Sequence, residues 1–324
     1  MSLLLEINDL SVHFSTPLGN VHAVDDVTLS LDRDLTGLVG ESGSGKSTLA
    51  YAIMRLLPKT AHVTGKILFD GIDVLPLSPS QMRDIRGKKI AMVFQGSMNS
   101  LDPLMRVEDQ VAEAIMIHEN ESRGPATRKA RDILGQLGLP AEKAQSYPHE
   151  LSGGLKQRVS IASALTLTPD LLIADEPTTA LDVMTQAQIM QTIREIKETY
   201  GMSVVLISHD IALVSEVSEI MAVMYAGKIV ETGPVTEIVG APAQPYTVGL
   251  MASVPSVDAV GVEGASIGGD PPDQINPIAG CRFRPRCPYA QASCDTFDSR
   301  LRDVGPRHSA ACILVGGEKP WMKQ

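Results

Sequence analysis

Cysteine is missing from the first 280 residues of this 324-residue chain, and all four that occur lie between Cys281 and Cys312. That distribution excludes a disulfide framework spread through the fold; clustered thiols in a cytosolic chain suggest a metal site sooner than disulfides. Basic excess is missing too: 28 Lys and Arg face 38 Asp and Glu, a formal net charge of −10. A general nucleic-acid binder is usually basic, so DNA and RNA are excluded as main partners, and loose adsorption to anionic lipid is disfavoured. No apolar run approaches the ~18 residues that span a bilayer. The best runs, Val204 to Ile207 and Ile220 to Tyr225, are strand-sized. The opening Met1-Ser2-Leu3-Leu4-Leu5-Glu6 lacks the basic residues and long apolar stretch of a signal peptide. The chain also lacks internal repeats, low-complexity tracts and heptad runs. The expectation is a cytosolic protein that can still dock on a membrane protein.

What is present is enough apolar material for a full core. Hydrophobic residues make up 44% of the chain, and its length fits one large domain plus a smaller one. Rough alternation in Leu5 to Phe14 and Val21 to Leu31, broken at Pro17-Leu18-Gly19-Asn20, reads as antiparallel strands. Leu35 to Val39 is a short buried strand; a helix from Lys46 to about Leu57 is stopped by Pro58. Lys66 to Phe69 and Lys89 to Phe94 are further strands. From about Arg106 to Pro148 the pattern is helical, with Val107, Val111, Ala114 and Ile115 on one face and a second helix closed by Gly138. This insert is expected to form its own lobe. Beyond Leu151, helices alternate with strands at Leu171 to Ala174, Ser203 to Ile207 and Ile220 to Tyr225, which predicts a mostly parallel sheet wrapped on both faces. Asp258 to Gly280, rich in Gly, Pro and Ala, reads as a linker or long loop.

Gly40-Glu41-Ser42-Gly43-Ser44-Gly45-Lys46-Ser47 has the phosphate-loop spacing G-x-x-x-x-G-K-[ST], set between a buried strand and a helix, with Thr48 following. Glycines let the chain curl so that successive N–H groups point at phosphate oxygens, and the helix N-terminus adds partial positive charge. Lys46 would contact the β and γ phosphates of ATP and Ser47 would ligate Mg²⁺. Downstream, Leu171-Leu172-Ile173-Ala174 is an apolar strand ending in Asp175 and Glu176. Asp175 is expected to hold magnesium through water, and Glu176 to polarise the attacking water as general base. Taken alone, the pair would equally suit a turn before Pro177.

Leu151-Ser152-Gly153-Gly154-Leu155-Lys156-Gln157-Arg158 resembles the signature of the ATP-binding cassette family. The family's other elements follow the same order along residues 3–250: Gln95 resembles the Q-loop, Ala180-Leu181-Asp182 the D-loop, His209 the switch histidine, and Phe14 stands where an aromatic stacks on adenine. The resemblance implies an α/β fold, the P-loop NTPase cassette: a mostly parallel core sheet, an antiparallel β subdomain and a helical subdomain. It also implies that Ser152, Gly153 and Gly154, starting a helix, grip the γ-phosphate of ATP held by a second ATPase subunit, so that hydrolysis requires a dimer. In this scheme Gln95 senses magnesium and the γ-phosphate, His209 orients Glu176, and Asp182 contacts the partner while capping its helix. Two positions depart from the usual pattern: Leu155 replaces Gln in the signature, and the turn Leu31-Asp32-Arg33-Asp34-Leu35 is short.

Four thiolates at Cys281, Cys287, Cys294 and Cys312 can hold a [4Fe–4S] cluster or a tetrahedral zinc, and the gaps lack the tight C-x₂-C knuckles of zinc modules. Four buried thiols packing a small tail is the bland alternative, and His308 is an alternative ligand. The stretch Gly280 to Ala290 resembles the C-terminal extension of the oligopeptide/dipeptide branch of these ATPases, as do Gln95 to Pro103 and Pro245-Tyr246-Thr247, where Gln244 replaces the usual His. That resemblance implies an iron–sulfur cluster in at least some relatives, and it sets the domain expectation: a nucleotide-binding domain at 1–250, its helical subdomain at about 95–150, and an extension at 251–324. The function it implies is a peripheral ATPase on the cytoplasmic side of the membrane, powering uptake of peptides or of another solute of that branch. Its partners would be a paralogous or identical ATPase, two transmembrane permease subunits and an extracytoplasmic solute-binding protein. A nucleic-acid or ribosome ATPase would carry two cassettes or a coiled coil, and an exporter would often carry fused membrane spans; this sequence has neither.

Overall fold

The computed structural model describes residues 3–253, 267–317 and 320–323, and the chain divides into two compact units, residues 1–76 with 208–324, and residues 77–207. In the first unit, β1 (Leu5–Thr16) and β2 (Gly19–Leu31) form an antiparallel hairpin. The Pro17-Leu18 break expected from sequence is its tip. Along β1 the buried positions change phase, from Leu5 and Ile7 to Leu10 and Val12, all fully buried. A strand of strict period two cannot do this; a bulge does it, with Asp9 in the left-handed region at φ 48°. The chain continues through β3 (Leu35–Val39), α1 (Lys46–Ile53), β4 (Ala61–Phe69) and β5 (Ile72–Asp73). One four-stranded antiparallel sheet has the order β2-β1-β4-β5.

The second unit begins with α2 (Pro79–Ile85), which the hydrophobic pattern had not suggested; it is held by a capping box in which Ser78 and Gln81 exchange bonds. β6 (Ile90–Val93), α3 (Val107–Glu119), α4 (Arg123–Gln136), α5 (Gly153–Leu165), β7 (Leu171–Asp175), α6 (Val183–Tyr200) and β8 (Ser203–Ile207) follow. β6, β7 and β8 are parallel neighbours whose residues are all buried, as strands covered on both faces must be. α3 buries Val107, Val111, Ala112 and Ile115, whereas the expected Ala114 is only partly buried; the buried Glu108 carboxylate takes Arg131 of α4 at 2.6 and 3.2 Å. Left-handed Gly138, at φ 72°, follows the end of α4.

The first unit then resumes with α7 (Ile211–Val217), β9 (Ile220–Tyr225), β10 (Lys228–Pro234), α8 (Val235–Gly240), α9 (Pro245–Ala252), β11 (Arg302–Gly305) and β12 (His308–Ala310). β3 pairs parallel with β9, and β9, β10, β12 and β11 continue antiparallel. The expected linker lies partly outside the described residues; its described part, 267–280, contains neither helix nor strand. The tail is more ordered than the sequence suggested, since β11 and β12 form a hairpin that adds to β10.

Candidate nucleotide and metal sites

In the first unit the phosphate loop runs directly from β3 into α1. Gly40 has φ 152°, and a Cβ there would meet the Met224 carbonyl oxygen at 2.0 Å; Gly45 has φ 106°, and a Cβ would meet the Ala23 carbonyl oxygen at 2.2 Å. Only glycine fits this backbone. The Lys46 ammonium is buried and donates to the carbonyls of Gly40 (2.7 Å) and Glu41 (2.9 Å), with Ser44 Oγ at 3.4 Å. It therefore folds back over its own loop. Ser47 and Thr48 lie in the first turn of α1, whose N-cap, Gly45, has no side-chain cap. Phe14, half-buried on β1, pairs with Val21 on one side and Ala61 on the other. His209 is exposed just ahead of α7, whose N-cap Asp210 accepts from the Leu213 N–H at 3.0 Å.

In the second unit the two acidic residues stand at the end of β7. Asp175 closes β7 fully buried. Glu176 has a left-handed backbone at φ 46°, a conformation that costs a non-glycine residue roughly 1 kcal/mol or more and clusters at functional sites. Its Oε2 accepts from Gln95 Nε2 at 2.9 Å and from Thr179 Oγ1 at 3.0 Å. Gln95 and Glu176, 81 positions apart in sequence, thus meet. Ser152 caps α5 with its hydroxyl, accepting from the Leu155 N–H at 3.4 Å, and Gly153 and Gly154 open the helix. Asp182 caps α6, accepting from Thr185 N at 3.0 Å and Thr185 Oγ1 at 2.7 Å, and these bonds hold its carboxyl below the usual range.

The four cysteines, spread over 32 positions of sequence, line one small cavity together with Phe283, Pro245 and Tyr289. Burial pushes the thiols of Cys281 and Cys312 up, and that of Cys287 up to about 11, which removes them from the class of activated nucleophiles. His308 does not join them: its Nε2 lies 2.8 Å from the buried Glu231 carboxylate, which also accepts from the N–H groups of Ala243 and Gln244. Among the described residues, the group of three metal-capable side chains with ligand atoms all within 4.8 Å is His13, His22 and Asp25. Asp25 is already compensated by Arg282 and, at 3.5 Å, by Lys228, so this reads as an ion-pair cluster.

Sequence reasoning passed over Arg286, Tyr246 and Gln274, all of which touch the phosphate loop. Arg286 meets Glu41 through two bonds at 2.8 and 2.9 Å, the Tyr246 hydroxyl accepts from the Glu41 N–H at 2.9 Å, and Gln274 Nε2 donates to the Gly43 carbonyl at 2.7 Å. The separations of roughly 200 to 245 positions left no local signal to find them.

Residues 24–179 match the ABC transporter family, and residues 230–294 match the C-terminal region of oligopeptide/dipeptide transporters. The chain is 42% identical to the oligopeptide transport ATP-binding protein OppD of Salmonella typhimurium, over 96% of this chain and 94% of that protein. It is 45% identical to the dipeptide transport ATP-binding protein DppD of Bacillus subtilis, over 97% and 95%. A solved dimeric structure of the ATP-binding cassette MJ0796, in a post-hydrolysis state with ADP and phosphate, superposes with a TM-score of 0.65 at 29% identity, covering 71% of this chain and 98% of that one.

Proposed function

The chain belongs to the ATP-binding cassette transporter family, and from that premise we propose that it is the ATP-hydrolysing subunit of an importer of di- and oligopeptides. The observation that carries the reading is the match of residues 230–294, beyond the cassette motifs, to the oligopeptide/dipeptide transporter region. The proposed division places the nucleotide-binding domain at 1–250, with its helical subdomain at about 95–150, and the extension at 251–324.

In the first unit, Gly40 to Lys46 receive the β and γ phosphates, Ser47 offers its hydroxyl to magnesium and Thr48 lies beside it, with Phe14 against the adenine and His209 near the γ-phosphate. In the second unit, Asp175 and Gln95 offer oxygen donors to magnesium. Hydroxyl, carboxylate and amide oxygens are the hard donors this ion prefers; when bound, it neutralises charge on the phosphates. Glu176 takes a proton from the attacking water. The bonds from Gln95 and Thr179 fix its carboxylate, and protein-held orientation is what a general base needs. Ser152, Gly153 and Gly154 present an anion site to the nucleotide of a second ATPase subunit, with Asp182 beside that contact.

The partners in this reading are that ATPase, two permease subunits and an extracytoplasmic binding protein, with the chain peripheral on the cytoplasmic side. None of the described helices is long and apolar enough to cross a membrane. Leu104 and Ile117 of the helical region are 85% and 65% exposed, apolar surface of the kind that docks on a partner. Reconstituted with its permease, the complex is expected to take up peptide only with Mg·ATP and loaded binding protein; uptake of another solute in place of peptides contradicts the substrate class.

Cys281, Cys287, Cys294 and Cys312 would hold a [4Fe–4S] cluster, with zinc the alternative. Their convergence on one cavity supports a shared ligand. No three of the sulfurs fall within the 4.8 Å grouping met elsewhere in the described residues, whereas zinc–sulfur bonds of about 2.3 Å would draw four sulfurs to within roughly 4 Å of one another. Anaerobically purified protein is expected to carry roughly four irons per chain and brown absorbance. Stoichiometric zinc without iron reverses the choice.

A further inference from the structure

The Arg286 guanidinium is buried and hydrogen-bonded on every nitrogen. Its side chain is 6% exposed, and all five of its N–H groups have acceptors. Nε donates to the Gly268 carbonyl at 2.9 Å. Nη1 donates to Glu41 Oε2 at 2.8 Å and to the Tyr225 hydroxyl at 3.3 Å. Nη2 donates to Glu41 Oε1 at 2.9 Å and to the Ile267 carbonyl at 3.2 Å. A guanidinium has five donors and no acceptor, so nothing about this one is left unassigned. Glu41 is the residue that makes the arrangement functional. It is the second residue of the phosphate loop, and its carboxylate would otherwise stand uncompensated in a loop shaped for the anionic tail of a nucleotide.

The rest of the extension holds the same loop. Gln274 bonds the Gly43 carbonyl with its side chain, and its own carbonyl accepts from the His22 N–H at 2.9 Å. Arg282 bonds the Ala226 carbonyl, and the next residue, Gly227, donates its N–H to the Ser44 carbonyl at 2.9 Å. Tyr225, Tyr246 and Phe283 pack ring on ring, with centroids 4.5 to 5.4 Å apart. Phe283 in turn lines the cysteine cavity, and Arg286 directly precedes Cys287. The short turn from Cys281 to Cys287 therefore faces the cysteines on one side and the phosphate loop on the other.

We propose that Arg286 is a positioning residue for ATP binding: through Glu41 it neutralises and shapes the phosphate loop, and the cysteine-lined extension serves as the scaffold that holds it there. The proposal rests on the reading of residues 40–47 as the ATP site. A purely structural anchor and a charge-compensating one make different predictions, because only in the second does the damage come from the carboxylate left behind.

The test measures KM for ATP and kcat in the full-length chain assembled with its permease and partner ATPase. Arg286→Gln is expected to raise KM about tenfold, with a smaller change in kcat, because it exposes the nucleotide to the unpaired Glu41 charge. Adding Glu41→Gln to that variant is expected to bring KM back to within about threefold of the parent. Arg286→Lys, which keeps the charge but not the fork, falls between. An unmoved KM in Arg286→Gln, or a double variant no better than the single one, overturns the proposal. Should Arg286→Gln not fold, the same decision passes to Arg286→Lys with and without Glu41→Gln. Absence of ATP hydrolysis by the parent complex would instead remove the ATPase reading itself; normal parent turnover with an unmoved KM removes only the role of Arg286.

Discussion

The two glycine-rich helix starts of this chain use glycine for different physical ends. Before α1, Gly40 and Gly45 adopt backbone conformations closed to other residues and press against carbonyl oxygens, and a buried lysine follows. Before α5, the backbone is ordinary: Ser152 sits at φ −66°, ψ 164° and caps the helix with its own hydroxyl. The glycines there clear space instead, since a Cβ on Gly154 would meet the Thr185 methyl at 2.6 Å. The first start is a curled cradle with its own cation. The second is a hydroxyl-capped helix terminus that opens on two glycines, with no lysine before Lys156. In the proposed reading, this difference makes the first self-sufficient as a phosphate site and the second half of a site.

A paired substitution sharpens this contrast. Lys46→Ala is expected to lower the ATP affinity of the isolated chain by roughly a hundredfold, through loss of a buried charged donor; unchanged binding breaks the cradle reading. Ser152→Ala is expected to act later and less, slowing hydrolysis in the assembled complex by about tenfold and costing α5 about 1 kcal/mol of capping. If Ser152→Ala instead weakened ATP binding by the isolated chain, the half-site reading would fail.

The same contrast explains what was legible in the sequence. The phosphate loop is a short segment whose chemistry is carried by adjacent residues, so its spacing was enough to locate it; the acidic strand end read as more than a turn only with that loop upstream, and the signature needed the family pattern. Asp182 was legible as a helix cap, and so was the hairpin at Pro17-Leu18. Gln95 was singled out only through the family pattern, and its bond to Glu176, 81 positions away, was not foreseen. The Arg286–Glu41 pair spans 245 positions and has no local pattern at all. The cysteines were legible as a set but their surroundings were not: His308 turns to Glu231 because a buried carboxylate needs a partner more than a cavity of thiols needs a fifth donor. On α3, Ala112 is buried and Ala114 only partly so, a difference that apolar spacing alone did not show. The change of phase at Asp9 in β1, likewise, is a bulge that simple alternation averages away.

The central claim is that ATP joins the phosphate loop of one ATPase subunit to the Ser152 helix start of another, and that Glu176 then drives hydrolysis. Its most direct test is the mass and phosphate release of the Glu176→Gln variant with its partner subunits in Mg·ATP. Gln keeps the shape that receives Gln95 and Thr179 but cannot take the proton from water, so turnover should fall by roughly 10² to 10⁴ while the ATPase subunits remain locked together on unhydrolysed ATP. Separate ATPase subunits, or phosphate release at the parent rate, would contradict the account.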